Sequence, residues 1–62
     1  MITLALRGNT YGIKEVLKNL GFRWDKKEKA WIQDFENSKE QYVNELSTRW
    51  ISEGVYGYIT KQ

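Results

Sequence analysis

The side chains best suited to chemistry in this 62-residue chain are aromatic rings and cations, which alternate along predicted strands and gather at a predicted turn. An exposed ring stacks on a nucleobase with roughly 1 to 3 kcal/mol per base, and Lys or Arg pairs with phosphate. We expect three rings and five cations to form a nucleic-acid-binding surface: Arg7, Arg23, Lys26, Lys27, Lys29, Trp31, Tyr56 and Tyr58. The predicted partner is single-stranded or duplex DNA, or RNA.

Residues for catalysis are scarce. The chain has no His and no Cys, so it lacks the commonest general base, thiol nucleophiles and the usual zinc ligands. Asp34 and Glu36 are close in sequence, but two carboxylates make a weak magnesium site and also suit a helix N-terminus. Gly8 and Gly12 lack the Lys-Ser/Thr signature of a phosphate loop. The sequence therefore predicts a non-enzymatic protein without catalytic residues, metal or cofactor.

The charge is distributed unevenly along the chain. Residues 1 to 33 hold seven Lys/Arg and three acids (+4), whereas residues 34 to 62 hold three Lys/Arg and five acids (−2). This asymmetry places the positive charge around the segment Phe22–Gln33 and favours an anionic partner there. A second interpretation is that Lys26, Lys27 and Lys29 only solubilise a turn.

The segment Phe22–Gln33 has the pattern of a β-hairpin with a polar turn. If Asp25 opposes Lys29 around a three-residue loop, three pairs follow: Phe22 with Ile32, Arg23 with Trp31, and Trp24 with Ala30. This register predicts Trp24 in the core and Trp31 on the open face, meaning the sheet surface that no helix covers. A shift by one residue would instead place Trp24 opposite Trp31 on the same face.

The remaining segments predict two strands and two helices. Ile2, Leu4 and Leu6 alternate as in a half-buried strand, and residues 55 to 60 (VYGYIT) alternate likewise. A first helix, capped by Asn9 or Thr10, would bury one apolar stripe: Ile13, Val16, Leu17 and Leu20. A second, opened by a Ser38/Gln41 capping box, would bury another: Val43, Leu46 and Trp50.

Glycines mark where both helices should end. Gly21 and Gly54 suit the left-handed position after a helix, with Phe22 and Val55 folding back on the last turn. The order β-α-β-β-α-β then predicts an α+β fold, in which a mainly antiparallel sheet carries both helices on one face. We expect residues 1 to 62 to form a single domain.

The hairpin resembles the short motif of HARP-type domains, which accompany annealing helicases, and of related small domains in phage and plasmid proteins. The motif is carried by Leu17-Lys18-x-Leu20-Gly21-x-Arg23-Trp24-Asp25 followed by Lys29-x-Trp31, within about residues 10 to 35. The resemblance implies that Arg23, Trp24, Asp25, Lys29 and Trp31 are the structural signature of the hairpin, some of them contacting DNA. The chain departs from those proteins in carrying no helicase.

Two alternatives to nucleic-acid binding stay open. The rings of Trp31, Tyr56 and Tyr58 could pack on one another across strands, or contact a protein partner. The chain could also be a phage or mobile-element product that inhibits a host nucleic-acid enzyme through an acidic surface: Glu36, Glu40, Glu45 and Glu53. That acidic surface could equally be a solvated helix face.

The opening MITLALRG is too short for a membrane span and has no basic region typical of a signal peptide. We therefore expect a soluble cytoplasmic protein without a membrane partner. The sequence does not predict the oligomeric state.

Overall fold

The computed structural model describes residues 1–61 and contains four strands and two α-helices. The strands are β1 (Ile2–Gly8), β2 (Arg23–Asp25), β3 (Ala30–Phe35) and β4 (Val55–Lys61). The helices are α1 (Lys14–Asn19) and α2 (Glu40–Arg49). Short 3-10 turns precede α1 (Tyr11–Ile13), precede α2 (Asn37–Lys39) and follow α2 (Ile51–Glu53). The sequence pattern predicts that the chain frays after Thr60. Lys61 instead lies in β4, and Gln62 lies outside the described residues.

The four strands form one sheet in the order β2-β3-β1-β4, and each neighbouring pair is antiparallel. Both helices cover the same face, because Leu17 of α1 and Leu46 of α2 join Leu4 of β1 in one buried cluster. The predicted α+β fold and its β-α-β-β-α-β order are confirmed. Within residues 1–61, no helix combines the length and apolar character that crossing a membrane requires.

The helix stripes are only partly as predicted. Val43, Leu46 and Trp50 are buried, as are Ile13 and Leu17, whereas Val16 and Leu20 are substantially exposed. Residues 11 to 13 form a 3-10 turn and α1 ends at Asn19, so Ile13 and Leu20 lie outside the α-helix and the predicted four-residue stripe is not continuous. Neither predicted side-chain cap forms. Thr10 makes no capping bond, and Ser38 lies inside a 3-10 turn.

Both glycines adopt the predicted left-handed conformation in a Schellman motif, but only Gly21 directly follows its α-helix, since α2 ends at Arg49 and Gly54 follows the 3-10 turn Ile51–Glu53. Gly21 has φ +97°, and Phe22 N–H donates to the Leu17 carbonyl at 2.9 Å. Gly54 has φ +85°, and Val55 N–H donates to the Trp50 carbonyl at 3.2 Å. Each motif satisfies a helix carbonyl and turns the chain directly into a buried apolar residue.

The hairpin register differs from the predicted one by one residue. Asp25 pairs with Ala30, Trp24 with Trp31 and Arg23 with Ile32, so the loop contains four residues, 26 to 29. Asp25 Oδ1 accepts hydrogen bonds from the backbone N–H groups of Lys27 (2.9 Å) and Glu28 (3.0 Å). Lys29 closes the loop in the left-handed region at φ +54°.

The extra loop residue reverses the two faces of β3, because successive strand residues point to opposite sides. Trp31, which pairs with Leu6, lies on the helix-covered face and is 7% exposed. Trp24 lies on the same face at the sheet edge and is 46% exposed. The prediction of a core Trp24 and an open-face Trp31 is therefore wrong.

Candidate nucleic-acid interface

The open face carries four of the predicted binding residues. Arg7 and Tyr56 are cross-strand partners on β1 and β4, Tyr58 is the partner of Ala5, and Arg23 lies on β2. The rings of Tyr56 and Tyr58 are 51% and 55% exposed. The placement of these four residues on the open face agrees with the sequence prediction. Trp31 does not lie on the open face, and the β3 residue that takes its predicted place there is Ile32.

Helix α2 packs on the opposite side of β4, and Gly57 allows this close approach. A Cβ atom at position 57 would lie 2.5 Å from the Cα of Ser47. Since Gly57 lies between Tyr56 and Tyr58, the alternation of β4 directs the helix contact to one face and both tyrosines to the other.

Arg7 connects the hairpin to β4 across the open face. One guanidinium nitrogen lies 3.0 Å from Glu28 Oε2, and the guanidinium carbon lies 5.4 Å from the Tyr58 ring centroid. Both partners of this ion pair are about half exposed, so it stabilises the fold by at most about 1 kcal/mol. Its main consequence is positional, because the contacts hold Arg7 beside the Tyr58 ring.

The lysine turn, meaning residues 26 to 29, carries positive charge that nearby acids do not neutralise. Lys26, Lys27 and Lys29 are all exposed, and none forms an ion pair within the described chain. The adjacent acids are engaged elsewhere: Asp25 accepts backbone hydrogen bonds, and Glu28 binds Arg7. Three cations are therefore free to meet an anionic ligand.

A shallow concavity of about 290 Å³ lies on the open face between β3, β1 and β4. Its lining combines aliphatic, hydroxyl, charged and aromatic groups: Thr3, Ala5, Arg7, Glu28, Ile32, Tyr58 and Thr60. A planar ring lying in it could stack on Tyr58 and contact the aliphatic Ile32 and Ala5. Of this lining, sequence reasoning selected only Arg7 and Tyr58; Glu28 and Ile32 depend on the observed hairpin register, whereas Thr3, Ala5 and Thr60 follow from strand alternation but carry neither a ring nor a charge.

A second group of rings lies on the helix side of the hairpin. The Trp24 and Trp31 centroids are 5.6 Å apart at an interplanar angle of 61°, an edge-to-face contact. The Trp31 indole N–H donates to Thr10 Oγ1 at 3.2 Å. Nearby, Lys14 Nζ lies 4.7 Å from the centroid of the Tyr11 ring, which is 79% exposed.

The second group was missed as a site by sequence reasoning. The signal for this group is the alternative hairpin register, shifted by one residue, because that register places Trp24 and Trp31 side by side. Tyr11 and Lys14 gave no such signal, because neither belongs to the apolar stripe predicted for the first helix.

Within residues 1–61, no group of three or more His, Cys, Asp or Glu is arranged to hold a metal ion. Asp34, considered as a cation ligand, accepts a hydrogen bond from Thr3 Oγ1 at 2.6 Å.

The five residues that the resemblance to HARP-type domains implies to be the signature of the hairpin all lie in it. Arg23, Trp24 and Asp25 form β2, Lys29 ends the lysine turn, and Trp31 lies in β3. Comparison of the chain with protein-family models, with curated proteins and with solved structures found no match.

Proposed function

We propose that this protein is a non-enzymatic nucleic-acid-binding module whose open face holds a single strand. The observation that carries the proposal is that two half-exposed tyrosines lie beside Arg7 and share with Arg23, on the opposite edge strand, a sheet face without helices. Such rings stack on bases of any sequence, while the cations follow the backbone. The resemblance to HARP-type domains, which are associated with DNA, agrees with this function.

The lysine turn supplies the electrostatic part of the proposed binding. Arg23, Lys26, Lys27 and Lys29 lack a carboxylate partner among the described residues. The three lysines flank the open face at one end, and Arg23 lies on its β2 edge. If these four cations each contact a phosphate, affinity for a single strand falls roughly 50-fold between 50 and 200 mM salt, since the logarithmic slope is about 0.7 per contact.

The test is an anisotropy titration of a labelled oligothymidylate of about 12 nucleotides at both salt concentrations, a length suited to small single-strand-binding folds. Lys27→Ala should reduce the salt slope by about 0.7, whereas Tyr58→Ala should weaken binding with little change in slope. Lys39→Ala and Tyr42→Ala are matched controls, because both residues are exposed and lie on the helix side of the chain. Absence of binding at 50 mM salt contradicts the proposal.

The alternative function, inhibition of a host enzyme through acidic residues, has less support. Glu40 is ion-paired with Lys61, so its charge is partly compensated. Glu36, Glu45 and Glu53 have no cationic partner within residues 1–61. A lysate partner that is retained after nuclease treatment and lost in a Glu45→Lys/Glu53→Lys variant would favour this alternative over the first.

A further inference from the structure

We propose a second nucleic-acid contact on the helix side of the hairpin, where an aromatic cleft takes one base of the bound strand together with a neighbouring phosphate. The aromatic cleft is the concavity of about 310 Å³ lined by Gly8, Asn9, Thr10, Tyr11, Lys14, Trp24 and Trp31. The inference rests on the proposed function and extends it to a site that shares none of the open-face residues.

The rings of the aromatic cleft provide stacking surface at a rigid position. Trp31 is buried and hydrogen-bonded to Thr10, and it supports Trp24 from behind through the edge-to-face contact. Trp24 is thereby held in place with nearly half of its surface exposed, and Tyr11 is exposed on the other side of the cleft. A ring held in this way, as Trp24 is, binds a planar ligand without first having to be ordered.

Polar groups around the aromatic cleft match the edge of a base. The Thr10 hydroxyl accepts from Trp31, which leaves its own hydrogen available to donate. The Asn9 side chain is exposed and offers both a donor and an acceptor. The Trp24 indole N–H has no hydrogen-bond partner within the part of the chain that is described.

The charge of the aromatic cleft selects an anionic ligand. Lys14 forms no ion pair among residues 1–61, and its ammonium already occupies the position over Tyr11 that a ligand cation would take. A methylated lysine or choline, the usual guest of an aromatic cage, would be repelled there. A nucleotide instead combines a ring for Trp24 or Tyr11 with a phosphate for Lys14.

Geometry allows one strand to use both surfaces. The lysine turn joins β2 to β3 at the same end of the sheet as Gly8, since Trp31 pairs with Leu6 of β1. The cleft lies on one side of this hairpin and the open face on the other. A strand passing around the lysine turn would therefore contact cations between the two stacking surfaces.

The test combines the anisotropy titration with NMR of the three tryptophan indole N–H signals in the full chain, assigned with single Trp→Phe variants. Oligothymidylate should shift the Trp24 signal and leave the signal of Trp50, the buried residue that follows α2 and does not line the aromatic cleft, unchanged. Tyr11→Ala and Trp24→Ala should each weaken binding about 5- to 150-fold. Gly12→Ala, beside Tyr11 with no atom near its added Cβ, is the matched control.

The possible outcomes separate this inference from the proposed function. Oligonucleotide binding that needs Tyr58 but tolerates Tyr11→Ala, with no shift of the Trp24 signal, overturns the cleft and leaves the open face. Absence of all oligonucleotide binding overturns both. A Trp24 shift by a proline-rich peptide and not by oligothymidylate or adenosine monophosphate also overturns the inference, because the cleft would then be a peptide groove. Thermal melts of Trp24→Ala and Tyr11→Ala establish that each variant is folded.

Discussion

The two tryptophans of the hairpin contact one another, yet they contribute to the protein in different ways. Trp31 is enclosed by the core and satisfies its indole N–H through Thr10, whereas Trp24 covers it from the sheet edge and stays half exposed. At the residue scale, burial therefore assigns Trp31 to stability and leaves Trp24 available for binding.

We expect Trp31→Ala to unfold the protein. Loss of a buried Trp side chain costs about 3 to 5 kcal/mol, which is close to the total stability of a domain of this size. Trp24→Ala should lower the free energy of unfolding by only about 1 kcal/mol, mainly through the lost ring pair. Urea melts measure both values. If Trp24→Ala lowers the free energy of unfolding more than Trp31→Ala does, the result would favour the register predicted from the sequence over the observed one.

The face on which a residue lies can be predicted from the sequence where it depends only on alternation within one strand. Arg7, Tyr56 and Tyr58 lie on unbroken strands, and alternation alone assigned them correctly to the open face. Trp31 was assigned wrongly because its face depends on loop length, and one additional loop residue reverses it. Nothing in the side chains of the turn alone distinguishes a three-residue loop from a four-residue loop.

At the scale of elements, two local features define the conformation of the lysine turn. The Asp25 carboxylate accepts from two loop N–H groups, and Lys29 adopts a left-handed conformation that non-glycine residues rarely take. The second feature carries a conformational cost of about 1 kcal/mol. The left-handed conformations of Gly21 and Gly54 were predictable because glycine marks such positions, whereas a left-handed lysine gives no comparable signal.

Lys29→Gly should therefore raise the free energy of unfolding by about 0.5 to 1 kcal/mol, since glycine adopts positive φ without steric cost. Lys27→Gly removes the same charge at a position without positive φ and should be neutral or destabilising. Thermal melts of the two variants, compared at equal ionic strength, isolate the conformational effect from the loss of a cation. Equal melting temperatures would show that the Lys29 conformation costs nothing.

At the scale of the whole molecule, one sheet separates two roles. The helices close one face over a single core, and the strands leave the other face to solvent, with unpaired cations concentrated at the hairpin end. Element order and fold class followed from periodicity and helix stops. The proximity of Tyr11, Lys14 and Trp24 did not, because it depends on how α1 and β2 meet at the end of β1.

Substitution of Gly57 tests this arrangement, because Gly57 belongs to the strand that separates α2 from the open face. Gly57→Ala places a methyl group against the α2 backbone at Ser47 and should lower the free energy of unfolding by about 1 to 3 kcal/mol. Gly12→Ala, which meets no atom, should be neutral or stabilising by up to about 1 kcal/mol. Urea melts of the pair measure the difference. If Gly57→Ala is as stable as the parent protein, α2 does not pack closely against β4 at this point. The packing of α2 would then not fix the positions of Tyr56 and Tyr58 on the open face.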